Sequence, residues 1–170
     1  VELSQQKIIE NLAGKHIQNF DFTLTPPHNA TPLYEDIASF LNVEDLYQEV
    51  KANSTAMAKA FVPFCENAIA QSAHPLLTAT KTAVAGNVID LASVMMYDLG
   101  EELDKIYHTA FVIDDFEALE TTLQTTQTLV YLADNAGEEI FDKLYIQTLH
   151  ALFPNLEVFY FVRGNPIIND

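Results

Sequence analysis

The stretch "LVYLADNAGEEIFDKLYIQTLHALFPNLEVFYFV", residues 129–162, decides the fold class of this chain. It opens with a short apolar run (129–134) that ends in an acid, and it closes with a second largely apolar run (157–162). Residues 138–153, between the two runs, carry apolar side chains at helical spacing. A strand, an amphipathic helix and a strand with short connections form a βαβ unit, whose strands are parallel and whose crossover is right-handed. The predicted fold class is therefore α/β.

The rest of the chain is predicted to be mainly helical. We assign residues 1–108 to a helical N-terminal subdomain and 109–170 to the start of an α/β domain. A further apolar run at 110–113 is predicted as a third strand. Three bare parallel strands would make a marginal sheet, so we expect the sheet to be incomplete at the C-terminus, with further strands after residue 170. Because the chain begins with Val1 rather than Met, we also expect it to be part of a longer protein.

Helix boundaries follow from apolar periodicity and from proline positions. The sequence predicts helices over 31–41, 43–71, 75–91 and 115–127. Pro32 is expected at the first position of the 31–41 helix, where its missing N–H costs nothing.

Composition excludes several classes of function. The chain has 24 acidic and 8 basic residues, a net charge of -16, so it lacks the clustered cations that bind nucleic acid. A single cysteine, Cys65, excludes an intrachain disulfide and fits a reducing compartment. No apolar run approaches the roughly 18 residues that a membrane span needs. We therefore expect a cytoplasmic protein without nucleic-acid or membrane partners, and the oligomeric state stays open.

Common catalytic and cofactor motifs are also missing. The five glycines form neither a G-x-G-x-x-G fingerprint nor a phosphate-binding P-loop. The sequence contains no G-x-S-x-G nucleophile elbow, and its five histidines never stand four apart as in a zinc-binding helix.

Asp134 and Asn135 follow the first strand of the βαβ unit. Ligands of parallel α/β sheets bind beyond the carboxyl ends of the strands. A carboxylate and an amide oxygen at that rim are the ligands that hard cations such as Mg²⁺ or Mn²⁺ prefer. The next residues, Gly137 and Glu138, begin a helix whose free N–H groups favour an anion such as phosphate. The alternative is that Asp134 or Asn135 merely caps this helix.

The second strand ends in a similar way, in "RGNPIIND", residues 163–170. The βαβ geometry should bring this loop to the same rim, so that Asn169 and Asp170 converge with Asp134. Arg163, the one arginine of the chain, would then face an anionic ligand. An ordinary Gly/Asn/Pro turn is the alternative for this loop.

Asn87 and Asp90 form a third polar element near the end of a predicted helix. They stand three residues apart and therefore share a helical face. They could place a polar edge against the site, or Gly86 and Asn87 could simply end the helix.

Taken together and in this order, the motifs resemble those of the domain of unknown function 89 family, the damage-control phosphatases. The matching segments are "FDFTLTPP" (20–27), "HPLLTATKTAVAGN" (74–87), "AGNVID" (85–90), "LVYLADNAGEEIFDKL" (129–144) and "FVRGNPIIND" (161–170). The resemblance implies a helical N-terminal part packed on a Rossmann-like, three-layer α/β/α sheet with parallel strands. The family's paired-cysteine segment is missing before Val1, and so are the strands and the basic residue that follow "IND" in the family.

The resemblance also implies a metal-dependent phosphatase (a phosphomonoesterase) that hydrolyses small phosphorylated metabolites, such as sugar phosphates or damaged phospho-metabolites. Its divalent cation would be Mn, Ni, Co or Mg, and its metal ligands would be Asp134, Asn135 and Asp170. Asp134 and Asp170 would be the catalytic residues. The expected substrate-binding residues are Asn87, Asp90, Gly137, Glu138 and Arg163.

Two other functions stay open at this point. One is S-adenosylmethionine-dependent carboxyl methyl transfer, which has also been proposed within the family, although no glycine-rich cofactor loop is visible here. The other is a non-catalytic module that binds a metal or metabolite.

Overall fold

The computed structural model describes residues 2–87, 99–164 and 166–169, with the side chains of 99–102 left out. Within these residues, helices and strands alternate in the last third of the chain. The helices are α1 (Leu3–Gln18), α2 (Pro26–Leu41), α3 (Gln48–Gln71), α4 (Pro75–Gly86), α5 (Leu99–His108), α6 (Phe116–Leu123) and α7 (Glu138–Leu152). The strands are β1 (Thr128–Leu132) and β2 (Glu157–Phe161). None of the described helices is long and apolar enough to cross a membrane.

The first compact unit, Val1–Tyr47, contains α1 and α2. These helices are joined by a 2.8 Å contact between His16 Nε2 and Asp36 Oδ2. The predicted start of the second helix at residue 31 is wrong, because α2 begins at Pro26 with Thr25 as its N-cap residue. Pro26 already occupies the position where proline is tolerated, and Pro32 lies inside the helix.

The second compact unit, Gln48–Asp170, contains the other elements. Helix α7 is central to it, since α7 supplies residues to two buried clusters. Phe141 and Leu144 join the first, with Ala58, Cys65, Ala85 and Leu103. Tyr145 and Leu149 join the second, with Leu76, Ala79, Leu123 and Leu156. This unit combines helices from the predicted N-terminal subdomain with the α/β part, and the boundary after residue 108 stays a prediction.

Strands β1 and β2 form a parallel pair, with Tyr131 opposite Tyr160 in the register. Helix α7 connects them, which confirms the predicted βαβ unit and the α/β fold class. One face of the pair packs on the second buried cluster through Leu129, Tyr131 and Val158. Side chains of the opposite face, including Leu132 and Phe161, are exposed.

The predicted strand at 110–113 is wrong. Val112 and Ile113 are almost fully exposed, and no strand is assigned there. The buried Lys81 side chain donates hydrogen bonds to the carbonyl oxygens of Tyr107 and Thr109, at 2.8 and 2.7 Å, which fixes the end of α5 as a turn. The described residues therefore contain a two-stranded sheet.

Three other predicted helices start or end differently in the structure. The helix predicted at 43–71 begins at Gln48, and the one predicted at 115–127 ends at Leu123. Helix α4 ends at Gly86, whereas the prediction extended to residue 91, of which 88–91 lie outside the described residues.

Candidate functional site

A cleft of about 280 Å³ lies between α4 and α7 at the end of β1. We call it the α4/α7 cleft. Its described lining residues are Thr80, Ala83 and Val84 of α4 with Asn87 directly after that helix, Tyr131 and Leu132 of β1 with Asp134 shortly after that strand, and Glu138, Asp142 and Tyr145 of α7. Along α4 the lining positions 80, 83/84 and 87 recur every three or four residues, as do 138, 142 and 145 along α7, so each set lies on one helical face. Three of the predicted site residues, Asn87, Asp134 and Glu138, therefore line one cavity.

Gly86 explains how the end of α4 reaches the start of α7. A Cβ atom at Gly86 would lie 3.3 Å from both the Cα and the Cβ atoms of Glu138, so a larger residue would push the two helices apart. This close approach places Asn87, the residue after Gly86, at the same end of the cleft as Glu138.

Gly137 occupies the turn between β1 and α7. Its φ of +100° is strained for any residue with a side chain, and a Cβ there would lie 3.1 Å from Ser54 Cβ. The Gly137 N–H donates to the Glu139 carboxylate, which also accepts a 3.0 Å hydrogen bond from the Thr55 hydroxyl. The amide that was predicted to bind an anion is therefore already bonded to an internal carboxylate. The substrate-binding role of Gly137 stays a prediction.

The two strand ends meet as the βαβ geometry predicts. Asp134 follows β1, Arg163 follows β2, and their side chains form an ion pair in which each is about half exposed. Backbone hydrogen bonds of 2.9 Å join the two segments, one from Ala133 N–H to the Phe161 carbonyl and one from Ala136 N–H to the Ile168 carbonyl. Asp134 is thus accessible to a ligand, with the only guanidinium of the chain beside it.

Asn135 carries an unusual buried atom. Its Nδ2 donates a 2.9 Å hydrogen bond to Glu138 Oε1, and a carboxylate only accepts, so the orientation of the amide is fixed. The other amide atom, Oδ1, is buried and has no hydrogen-bond partner within the described part of the chain. A buried acceptor without a partner costs about 1–3 kcal/mol. A hard cation would satisfy this oxygen, so Asn135 and the neighbouring Asp134 fit the donor set of such an ion.

Asn169, in contrast, holds the loop after β2. It is 2% exposed. Its Oδ1 accepts a 2.7 Å hydrogen bond from Ile167 N–H, and its Nδ2 donates a 3.1 Å hydrogen bond to the Arg163 carbonyl. These bonds turn the chain back after Arg163, so Asn169 shapes the loop rather than presenting both of its polar atoms to the rim.

Two predicted site residues, Asp90 and Asp170, lie outside the described residues. The described part of the chain contains no cluster of three or more histidine, cysteine or acidic side chains that could hold a metal ion. The predicted ligand set of Asp134, Asn135 and Asp170 therefore stays a prediction.

Sequence reasoning missed Asp142, a 5% exposed acid on the inner face of α7. Its Oδ1 accepts a 2.5 Å hydrogen bond from the Tyr131 hydroxyl, and its Oδ2 accepts a 3.0 Å hydrogen bond from the Tyr160 hydroxyl. Burial raises the pKa of the Asp142 carboxyl, and the two tyrosine hydrogen bonds partly oppose this rise. Burial also raises the pKa of Tyr131. The available signal was an aspartate directly beside Phe141 in an otherwise apolar stripe.

Comparison with known proteins identifies the family. Over residues 2–170 the sequence matches the damage-control phosphatase ARMT1-like domain. The chain belongs to this family. The resemblance drawn from the ordered motifs is thereby confirmed.

Two curated relatives carry the same description. A damage-control phosphatase of Archaeoglobus fulgidus is 29% identical over 157 residues, which cover 90% of this chain and 53% of the relative. The damage-control phosphatase PH1575 of Pyrococcus horikoshii is 30% identical over 139 residues, which cover 81% of this chain and 47% of the relative. The chain therefore spans about half the length of the curated relatives that it matches.

The fold is similar to that of a solved structure as well. The crystal structure of the DUF89 family protein PH1575 from Pyrococcus horikoshii superposes with a TM-score of 0.86 at 26% identity. The match covers 99% of this chain and 59% of the solved one. This likeness confirms the α/β fold class for the described elements.

Proposed function

We propose that this protein is a phosphatase that hydrolyses small phosphorylated metabolites with the help of a divalent cation. Family membership and the names of the curated relatives support the reaction class. The single observation that carries the proposal is the rim of the α4/α7 cleft. There Asp134 pairs with Arg163, and the next residue, Asn135, has a buried amide oxygen with no partner among the described residues.

The charge of the cleft explains why a cation is part of the proposal. Asp134, Glu138 and Asp142 line it, and the described residues that line it include no lysine or arginine. A phosphate ester is an anion, and three carboxylates around an empty cleft would disfavour its entry. Binding therefore requires positive charge at the rim, which Arg163 and a divalent cation would provide.

Asp134, Asn135 and Asp170 would hold the cation, the first and last through carboxylates and Asn135 through its free amide oxygen. When bound, Mn²⁺, Co²⁺, Ni²⁺ or Mg²⁺ would neutralise the phosphate and lower the pKa of a coordinated water. The identity of the ion is not fixed by these ligands, because all four accept oxygen donors.

The chain's own residues would orient the substrate and stabilise its charge. Arg163 can turn from Asp134 to the phosphoryl oxygens, since both side chains are about half exposed. Asn87 and Glu138 would contact the rest of the metabolite at the opposite wall. Attack by the Asp134 carboxylate and attack by water are both compatible with this arrangement. A reducing, cytoplasmic setting belongs to the same proposal, and it is supported by the free, buried thiol of Cys65.

The test is release of inorganic phosphate from p-nitrophenyl phosphate and a panel of sugar phosphates, each with Mn²⁺, Co²⁺, Ni²⁺ or Mg²⁺. We expect metal-dependent turnover that falls at least about 100-fold in Asp134→Ala, in line with the loss of a major electrostatic contribution. Asp104→Asn is the matched control, because it removes an exposed carboxylate remote in sequence from the strand ends and should retain wild-type turnover.

Turnover that is unchanged in Asp134→Ala would refute the proposal. Cation binding without turnover would favour a binding module, and stabilisation by S-adenosylmethionine without phosphate release would favour methyl transfer.

A further inference from the structure

The buried carboxylate of Asp142 bridges β1 and β2. Its two oxygens accept hydrogen bonds from Tyr131 of β1 and Tyr160 of β2, at 2.5 and 3.0 Å. The two tyrosines are direct partners in the strand register, and their rings stack with centroids 5.4 Å apart and an interplanar angle of 19°. One residue of α7 therefore contacts both strands at the same position of the register.

The two tyrosines of this bridge precede Asp134 and Arg163 by the same number of residues. Asp134 is the third residue after Tyr131, and Arg163 is the third residue after Tyr160. Asp134 and Arg163 form the ion pair that joins the strand ends. A change in the register or the separation of the strands at the two tyrosines would therefore displace Asp134 or Arg163.

We propose that Asp142 is a positioning residue which, through Tyr131 and Tyr160, aligns the two strand ends so that Asp134 and Arg163 meet at the rim. Its significance for catalysis rests on the function proposed above, whereas the alignment itself does not.

The geometry of the bridge suits it to this role. The two tyrosine hydroxyls bond to different oxygens of one carboxylate, so the bridge fixes the position of one strand against the other. Hydrogen bonds from a hydroxyl to a carboxylate are about twice as strong as those between neutral groups, and they require a definite geometry. The Asp142 bridge thus adds directional contacts to the strand pair just before the rim.

Arg163 offers a direct readout, because it is the only arginine of the chain and gives a single side-chain Nε–Hε signal in a ¹H–¹⁵N spectrum. Asp134→Asn defines the position of this signal when the ion pair is lost. We expect the double variant Tyr131→Phe/Tyr160→Phe to move the signal more than half of the way to that position, and Asp142→Leu to do the same.

Two controls separate positioning from a general loss of stability. Tyr107 packs against the first cluster, and its part-buried hydroxyl contacts that of Thr82 at 2.9 Å. Tyr107→Phe removes this hydroxyl and should leave the Arg163 signal unchanged. Asp142→Asn keeps an oxygen for one tyrosine and offers an N–H to the other, so it should restore the wild-type position.

The proposal is overturned if the double variant leaves the signal in place, or if Tyr107→Phe moves it as far. A wild-type signal at the Asp134→Asn position, or one lost to exchange, would also overturn it, since Arg163 would then not be held.

Mn²⁺ affinity of the same variants adds the link to function. We expect it to fall about 3- to 10-fold in the double variant and less than 2-fold in Tyr107→Phe. If wild-type protein binds no Mn²⁺ while the Arg163 signal responds as expected, the proposed function fails and the positioning role stands.

Discussion

The two ends of α7 differ in what stabilises them. At the C-terminal end, Leu149 is fully buried with Leu76 and Leu156 in an apolar cluster. At the N-terminal end lie a glycine at positive φ, a buried aspartate and an amide oxygen that has no partner among the described residues. The last two features carry a cost in free energy, and such costs concentrate at functional sites, whereas the glycine adopts its positive φ at little cost.

The cavities near the two ends of α7 differ in their chemistry as well. An open groove of about 300 Å³ lies near the C-terminal end, and the α4/α7 cleft of about 280 Å³ lies near the N-terminal end. Their volumes do not distinguish them. Among the described residues, those that line the first include a single acid, Glu66, whereas those that line the second include three. The candidate site is therefore distinguished from the groove by its charged side chains, and not by its volume.

The largest expected effect on stability is at the apolar end. Leu149→Ala should lower the free energy of unfolding by about 2–5 kcal/mol, because it leaves a cavity in a fully packed cluster. Urea unfolding measures this loss. Phosphate release per folded molecule should stay at the wild-type level, because Leu149 does not line the cleft. A loss of turnover in the folded fraction would mean that the two ends are not independent.

A smaller effect is expected at Asp142. Burial raises its pKa above the unfolded value, and the nearby Glu139 charge acts in the same direction. The folded state therefore binds the proton more tightly, so this group's contribution to stability is present at low pH and is lost as pH rises through the folded pKa. Asp142→Asn has no ionisable group at this position, so its stability lacks this dependence on pH.

The stability of Asp142→Asn relative to wild type should accordingly increase from pH 4 to pH 7. Urea unfolding at several pH values checks the slope. A difference that shrinks as pH rises would show that the tyrosine hydrogen bonds outweigh burial at this carboxyl.

The smallest change in stability is expected at Asn135. Asn135→Ala removes the unpartnered oxygen together with the hydrogen bond to Glu138, and these two effects oppose each other. The free energy of unfolding should change by less than about 1 kcal/mol. Thermal unfolding measures it, and a loss of about 3 kcal/mol would identify Asn135 as a structural cap rather than a candidate ligand.

Sequence reasoning predicted the βαβ unit because its signals are local. Periodicity over 138–153 and two bounded apolar runs sufficed to place α7 between parallel strands. The same rule failed at 110–113, where an apolar run does not form a strand. The path of the chain there is set by Lys81, a residue about thirty positions earlier whose side chain caps the end of α5. A contact of that kind produces no hydrophobic periodicity in the sequence.

The site was predictable to a similar extent. Topology alone brought Asp134 and Arg163 to one rim, where they pair. The hydrogen bond from the Gly137 amide to Glu139 was not predicted, although the two residues are only two apart, and the second hydrogen bond to this carboxylate comes from Thr55, on the distant helix α3. Asp142 was missed because an aspartate on an amphipathic helix is normally predicted to be exposed. Its burial is explained only by its two tyrosine partners, which lie on separate strands.

Titration calorimetry with Mn²⁺ tests the central claim most directly, namely that the N-terminal end of α7 carries a cation site. Wild-type protein should bind about one equivalent, and Asp134→Asn should bind at least about 10-fold more weakly, because one carboxylate ligand loses its charge. Asp104→Asn, which removes the same charge elsewhere, should bind like wild type. Equal affinity of the wild type and Asp134→Asn, or no binding to either, would contradict the account.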